Sequence, residues 1–358
     1  MKVSPKLRFV ALFCFLHPGY ADFSPFHRFG PKLEELVSER RSEIAQQREH
    51  WREKALQIRS AHPLFFAELD EALEAGELRC LEGGNGSTYL LSDGAQNPRF
   101  ILKPSDEAIY CLNNPHPQYA SPFHDRAFRV HPHIPLYRSC QTEALAYLVA
   151  SLIADLAGYE YEGTLVPETY LSLVDHPLFG CEKLCSVQRF VPHSGKLLDL
   201  IRGLKNQTVA KEQIDTVSCE LLMLFVWYIY DTDAHVRNFL IRDEPIALIK
   251  IDNDLSFPQE NEKLLNLLVF LPEARRPLSR RAREVIENFP VEQVVEQMRF
   301  FELEEAIDAF LERCALLKKL ATYPALSKAQ IDEKLRLFST PKSDSQVPSA
   351  ETRVKPPE

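Results

Sequence analysis

The sequence predicts an α+β fold, with short strands in the first half of the chain and mainly helices in the second. Two observations support this prediction. Short apolar runs bounded by turn-forming residues recur between 80 and 191, and they have the length and composition of strands. Beyond 212 the apolar residues recur mostly at helical spacing, except for one predicted hairpin at 239–251.

The composition is that of an ordinary globular protein. The chain has 358 residues, of which 45% are hydrophobic and 26% charged. This is enough for one two-lobed domain of about 250–300 residues with an extension at each end. The net charge of −9 argues against a nucleic-acid partner, because phosphate backbones attract basic surfaces. We find no run of about 18 apolar residues, the length that a membrane-spanning helix needs.

The N-terminal region contains two predicted segments. Basic residues at 2, 6 and 8 precede an apolar run at 9–16, and small residues follow near 21. This pattern predicts a secretory signal over 1–21, with a buried strand as the alternative, so export is one hypothesis for the localisation. The remainder, 22–75, is predicted as a helical extension, since apolar residues recur at helical spacing and His62-Pro63 separates two helices. The first of these helices would pack on the main domain or on a partner.

A glycine-rich turn and a lysine stand at either end of the next predicted hairpin. Gly84, Asn85, Gly86 and Ser87 lie between two short strands, where glycine lets backbone N–H groups approach phosphate oxygens. The second strand ends at Lys103, and a single lysine at the end of an apolar strand suits contact with nucleotide phosphates.

The next segments are a predicted insert and a helix. Residues 111–138 are rich in proline, histidine and aromatic residues and lack periodicity. Residues 140–158 predict a helix that ends at Gly158 and carries Glu143 in its first turn. The eight cysteines include one close pair, Cys181 and Cys185. Without a second pair they predict no zinc site, and most of the thiols are expected to be reduced.

The most informative stretch is 226–258. Asp233 and Asn238 follow a long apolar run and stand five positions apart, and the predicted hairpin then ends at Asp252. In phosphoryl transfer the first aspartate orients the acceptor hydroxyl and takes its proton. The asparagine and the last aspartate hold a divalent metal ion against the phosphates.

This stretch resembles the phosphatidylinositol 3-/4-kinase superfamily, and most closely the type II phosphatidylinositol 4-kinases. Their T-D-x4-N motif is matched by Thr232, Asp233 and Asn238, and their I-D-N-x-L-x-F-P motif by residues 251–258. A weaker resemblance is to HipA-type serine/threonine kinases. The resemblance covers about 83–320 and implies a two-lobed, protein-kinase-like fold. An antiparallel sheet would form the N-lobe, and helices most of the C-lobe.

The same resemblance implies roles for individual residues. Lys103, held by Glu143, would position the phosphates of ATP, while Asn238 and Asp252 would bind Mg²⁺ or Mn²⁺. Gln188, Phe190 and Val191 would form the hinge that contacts adenine, although Pro192 follows where family members have glutamate. His235 is expected to brace the catalytic loop.

The resemblance also implies domain limits. The N-lobe would span 76–191, including the insert at 111–138, and the C-lobe 192–325. The tail at 339–358 is rich in proline, serine and lysine and is predicted to be disordered.

A basic cluster suggests partners. Its arginines suit acidic phospholipid headgroups or an acidic protein, and the alternative is a solvated helix face. They are Arg275, Arg276, Arg280, Arg281 and Arg283. The tryptophans that relatives place before this segment for membrane insertion are missing, so apolar residues at 264–270 would either replace them or belong to the core. Three functions stay open: a lipid kinase acting on phosphatidylinositol, a serine/threonine protein kinase, and an inactive nucleotide-binding scaffold.

Overall fold

The structure is a computed structural model that describes residues 30–338, apart from 83–85, 109–110, 112, 116–137, 160–164, 244 and 262–263. The predicted signal segment, most of the predicted insert and the predicted disordered tail therefore lie outside the described residues. So do Gly84 and Asn85.

The secondary structure is listed here in chain order. The helices are α1 (Gly30–Ala61), α2 (Pro63–Ala75), α3 (Ser139–Ala157), α4 (Leu197–Lys205), α5 (Thr216–Ile229), α6 (Arg280–Asn288), α7 (Val291–Phe300), α8 (Ile307–Ala321) and α9 (Lys328–Phe338). The strands are β1 (Glu77–Cys80), β2 (Tyr89–Ser92), β3 (Pro98–Pro104), β4 (Thr169–Val174), β5 (Lys183–Arg189), β6 (Gly195–Lys196), β7 (Phe239–Arg242) and β8 (Ala247–Lys250).

Five strands form an antiparallel sheet in the order β1-β2-β3-β5-β4. In β3, Phe100 and Leu102 are fully buried and alternate with more exposed residues, as expected of a strand with one face on a core. Strand β4 begins at Thr169. Pro167, which has no backbone N–H to donate, lies outside it.

The second half of the described chain is mainly helical, and this confirms the predicted α+β fold. At its centre lies α5, where each of residues 221–229 is at most 1% exposed. The predicted hairpin is confirmed as β7 and β8, which pair with Phe239 opposite Lys250. The short strand β6 adds to this hairpin next to β7. Helix α9 was not predicted from the sequence. Its Ile331 and Leu335 pack into the core that surrounds α5.

Helix α3 was predicted correctly to within one residue, and it ends with Gly158 in the left-handed region at φ 58°. By length and composition it is the one helix among the described residues that would reach across a membrane, yet 67% of that stretch is buried inside the fold. A buried core helix of a globular domain can have the same length and apolar composition.

The predicted N-terminal helices are also confirmed, and α1 packs on this chain. Trp51 is fully buried, and its ring stacks on Phe301 with 6.3 Å between the ring centroids. Lys54 Nζ lies 4.6 Å from the centroid of the same indole ring. Among the described residues, the cysteines are thiols and form no disulfide with one another.

Candidate active site

Three side chains from distant parts of the sequence meet at one ammonium group. Lys103, near the end of β3, forms an ion pair with Glu143 in the first turns of α3. The same Lys103 Nζ lies 2.8 Å from Asp252 Oδ1, just after β8. Glu143 is almost fully buried, with 2% of its side chain exposed, whereas 44% of the Asp252 side chain is exposed. The carboxylate of Asp252 is therefore open to the solvent side of the site.

These charges perturb one another. Burial disfavours the charged form of Lys103, but the carboxylates of Asp252 and Glu143 outweigh it and raise the pKa of Lys103 well above its ordinary value. The pKa of Asp252 is lowered mainly by Lys103. Both groups are therefore ionised at neutral pH.

A third carboxylate, Asp254, joins this group. Single carboxylate oxygens of Glu143, Asp252 and Asp254 all lie within 4.8 Å of one another. The second oxygen of Glu143, Oε2, is buried without a hydrogen-bond partner. Burial and the nearby Asp252 raise the pKa of Asp254 well above its ordinary value, so proximity of a cation would favour its ionised form.

Asp254 was not among the site residues predicted from the sequence. It stands at the variable position of the matched I-D-N-x-L-x-F-P motif, two residues after Asp252. A carboxylate so close to a predicted metal ligand was the signal available. The main chain of this segment is tied to α3, because Thr142 Oγ1 donates a hydrogen bond to the carbonyl oxygen of Asp254 at 3.1 Å.

Asp233 and Asn238 lie together on the loop between α5 and β7. Asn238 Nδ2 donates to the backbone oxygen of Asp233 at 3.1 Å and to its Oδ2 at 3.3 Å. This leaves Asn238 Oδ1 as an acceptor or metal ligand. Burial is the main influence that raises the pKa of Asp233, and Asp252 adds to it, while His235 opposes it.

His235 has the contacts of a bracing residue. Its backbone N–H donates to the carbonyl of Asp233 at 2.7 Å, and its Nδ1 accepts from the N–H of Arg237 at 3.2 Å. Its Nε2 is 3.8 Å from Asp233 Oδ2, too far for a hydrogen bond.

The predicted glycine-rich turn is described only at its end. Gly86 is half-buried and Ser87 is buried. The N–H of Ser87 donates to the carbonyl of Glu107 at 3.1 Å, and its hydroxyl is buried without a hydrogen-bond partner. The side chain of Glu107 pairs with Lys183 and accepts from Tyr89 at 2.6 Å. Glu107 thus contacts the end of the turn through its backbone carbonyl, and Tyr89 and Lys183 through its side chain.

The three predicted hinge residues lie at the end of β5. Gln188 is buried within the sheet, and its side chain donates to Thr169 Oγ1 at 3.2 Å. The N–H of Phe190 donates to the carbonyl of Arg99 at 2.8 Å. The side-chain amide of Gln188 and the N–H of Phe190 therefore already have hydrogen-bond partners in the sheet. The side chains of Phe190 and Val191 are half-buried.

Four arginines of the basic cluster lie on the surface, whereas Arg283 is half-buried and donates to the carbonyl oxygen of Leu278 at 2.6 Å. Arg276 and Arg280 have 70% and 89% of their side chains exposed, and Arg275 and Arg281 are also exposed. Of the apolar residues before the cluster, some belong to the core, since Leu264 and Leu268 are 0% exposed, whereas Phe270 is 68% exposed.

Comparison with known proteins gives distant similarity. No family model matches the chain. The chain is 24% identical over 249 residues to phosphatidylinositol 4-kinase gamma 3 of Arabidopsis thaliana, and the aligned region covers 64% of this chain and 41% of that protein. It is also 24% identical over 314 residues to phosphatidylinositol 4-kinase gamma 6 of the same plant, and this aligned region covers 78% of this chain and 47% of that protein. The chain thus spans less than half the length of both relatives.

Among solved structures, the Golgi casein kinase with Mn and ADP bound is similar over 76% of this chain and 77% of that chain, with a TM-score of 0.42 and 11% identity. The relationship to phosphatidylinositol 4-kinases that the motifs predicted is therefore confirmed as a distant sequence similarity, at the level of a kinase-like protein.

Proposed function

We propose that the chain is an ATP-dependent phosphotransferase that transfers the γ-phosphate to the inositol ring of phosphatidylinositol. The observation that carries the transferase part is the meeting of Lys103, Glu143 and Asp252 beside the loop that contains Asp233. These four charged groups come from a strand, a helix, a hairpin end and a loop, and the local structure of these elements does not explain why they lie close together. A phosphoryl-transfer site of the protein-kinase type uses all of them.

The carboxylates fit a divalent cation. Mg²⁺ prefers oxygen ligands, and the oxygens of Asp252, Asp254 and Glu143 converge, one Glu143 oxygen being buried without a partner. Asp252, Asp254 and the side-chain oxygen of Asn238 would hold Mg²⁺ or Mn²⁺. When bound, the metal ion neutralises charge on the β- and γ-phosphates of ATP. Glu143 would mainly orient Lys103, with which it is already paired.

Asp233 would act on the acceptor. It accepts a hydrogen bond from the acceptor hydroxyl and takes its proton as the hydroxyl oxygen bonds to the γ-phosphorus and ADP leaves. Asn238 keeps the Asp233 carboxylate in place through its amide hydrogen bond. Lys103 positions the phosphates by charge, held by Glu143.

Two observations support phosphatidylinositol as the acceptor. Both curated relatives are phosphatidylinositol 4-kinases. The exposed Phe270 also lies within ten residues of the exposed Arg276 and Arg280. An exposed aromatic side chain beside arginines suits the headgroup region of an acidic membrane.

A serine/threonine protein kinase is the second candidate, and one observation favours it. Leu264 and Leu268, which a membrane-inserting segment would expose, are fully buried in the core. Since these two leucines cannot enter a bilayer, contact of the described part of this segment with a membrane would depend on Phe270 and the arginines.

The test is transfer of radiolabel from γ-labelled ATP, with Mg²⁺ or Mn²⁺, to phosphatidylinositol vesicles and to a cell lysate in parallel. Asp252→Ala is the control, because it removes the carboxylate that contacts Lys103. We expect labelled lipid with the wild type and none with Asp252→Ala. Label in protein alone would support the second candidate. Nucleotide binding without label in either acceptor would refute the transferase proposal and favour a scaffold.

A further inference from the structure

Asp231 and Lys250 form an ion pair in the interior, directly behind the candidate site. Asp231 Oδ2 lies 2.6 Å from Lys250 Nζ, and both side chains are 0% exposed. A buried ion pair loses the hydration of both charges, and apolar residues of similar volume often serve stability equally well. The pair therefore calls for an explanation beyond stability, and its other contacts supply one.

Lys250 holds the segment that carries Asp252. Its Nζ donates to the carbonyl oxygens of Ile251 at 2.7 Å and of Asp252 at 2.9 Å. Together with Asp231 Oδ2 at 2.6 Å, these two carbonyl oxygens give the Lys250 ammonium group three oxygen neighbours. Asp252 has φ 61°, a left-handed conformation that residues other than glycine rarely adopt. The hydrogen bonds from Lys250 stabilise this turn of the main chain, which directs the Asp252 carboxylate to Lys103.

Asp231 holds the loop that carries Asp233. Its second oxygen, Oδ1, accepts a hydrogen bond from the N–H of Asp233 at 2.7 Å. Between the two aspartates, Thr232 donates from both its N–H and its hydroxyl to the carbonyl of Leu255, at 3.1 and 2.8 Å. The Asp233 loop and the Asp252 segment are thus joined to each other through the buried pair and through Thr232.

We propose that Asp231 and Lys250 are positioning residues that fix the Asp233 loop relative to the Asp252 segment. The inference rests on the proposed function, in which Asp233 serves the acceptor and Asp252 the metal ion. Phosphoryl transfer requires the attacking hydroxyl and the phosphate in line, and an error of about 1 Å in such an arrangement costs about 100-fold in rate. Because the Asp231–Lys250 pair contacts both segments, it sets the position of Asp233 relative to Asp252.

The test compares Lys250→Met with Lys328→Met, a matched substitution of a buried lysine away from the site. Lys328 is 1% exposed and pairs with Glu220 at 3.1 Å and Glu273 at 2.8 Å. A second variant, Asp231→Leu/Lys250→Met, removes both charges and so leaves neither one buried without a partner. It keeps the test informative where Lys250→Met alone fails to fold.

Two measurements are made on each variant. The first is kcat and KM for ATP. We expect kcat to fall about 100-fold in both variants that lack Lys250, with KM for ATP little changed, and to stay near wild type in Lys328→Met. The second is hydrogen exchange of peptides covering 231–238 and 251–257, with no nucleotide or metal present. Exchange should be faster in both segments of the variants that lack Lys250, and unchanged in Lys328→Met.

Several results would overturn the proposal. One is a folded double variant with wild-type kcat and wild-type exchange in both segments. Another is an equal loss of kcat in Lys328→Met, which would make the effect a general one of buried lysines. If the wild type transfers phosphate to no acceptor, the proposed function fails, and the exchange measurement alone decides whether the pair holds the two segments.

Discussion

Glu302 joins the N-terminal helix to the rest of the fold, and we expect Glu302→Gln to destabilise the protein by about 2 kcal/mol at pH 7. Its carboxylate lies 2.8 Å from Lys54 Nζ and 2.6 Å from Arg138 Nη1, and it also contacts His50. Burial alone would raise its pKa, but hydrogen bonds from Lys54, Arg138 and His50 outweigh burial and lower the pKa from 4.5 to about 2. Such a shift corresponds to about 3 kcal/mol in favour of the ionised, folded form. We reduce this to about 2 kcal/mol because 20% of the side chain is exposed to solvent.

The sign of the pH dependence follows from the lowered pKa. The stabilisation by the Glu302 carboxylate is complete above the unfolded-state pKa near 4.5 and is lost as the pH falls towards 2. The difference in unfolding free energy between wild type and Glu302→Gln should therefore be largest at neutral pH and shrink below pH 4.5.

Urea denaturation followed by tryptophan fluorescence measures this difference, since both tryptophans, Trp51 and Trp227, are fully buried. Glu305→Gln, an exposed residue of the same connection, is the control and should have little effect. Equal destabilisation by the two substitutions at pH 7 would refute the reasoning. So would a Glu302→Gln difference that stays constant as the pH falls to 3.

The remaining predictions concern one catalytic and two structural residues. Because burial raises the pKa of Asp233, kcat should rise with pH through a value above the ordinary carboxylate pKa of about 3.9. Asp233→Asn should lower kcat by about 1,000-fold, and a pH–rate profile in which the variant keeps this rise would count against Asp233 as the base. Trp51→Ala should cost about 3–5 kcal/mol in urea denaturation, because the fully buried indole stacks on Phe301; a loss below about 1 kcal/mol would contradict this. Gly76→Ala should cost about 1–3 kcal/mol, since its Cβ would lie 1.9 Å from the carbonyl oxygen of Ser92. Gly94→Ala, whose nearest contact would be 3.2 Å, is the matched control, and equal costs would argue against the steric reason.

The local parts of the fold could be predicted from the sequence. The β7–β8 hairpin follows from two aliphatic runs around a turn, and α3 from helical spacing that ends at a glycine. The pairing of Lys103 with Glu143 was predicted because each matches a motif of the family that the sequence resembles, whereas the contact of Lys103 with Asp252 was not predicted.

Contacts between distant segments could not be predicted in the same way. Lys54 and Glu302 are 248 positions apart, and helical periodicity indicates which face of α1 is apolar without indicating what covers it. The pairing of Asp231 with Lys250 was missed for a related reason. Each of the two residues stands beside a predicted functional residue in the sequence. What makes them a specific pair is their burial, and burial cannot be read from one sequence.

Helix α3 is the element through which these distant contacts reach the candidate site. Arg138, directly before the helix, is held by Glu302, while Thr142 is held by the carbonyl of Asp254 and Glu143 by Lys103. Each of these contacts fixes the same first turns of α3 from a different direction. Displacement of this end of the helix would weaken all of them together, because a helix moves as a rigid unit over one or two turns. Loss of the Glu302 carboxylate should therefore be felt at Glu143: hydrogen exchange in 139–145 should increase in Glu302→Gln but not in Glu305→Gln, while α5 stays protected in both. Unchanged exchange in 139–145 would mean that α3 keeps its position without the Glu302 carboxylate, and that the N-terminal helix stabilises the fold without influencing the site.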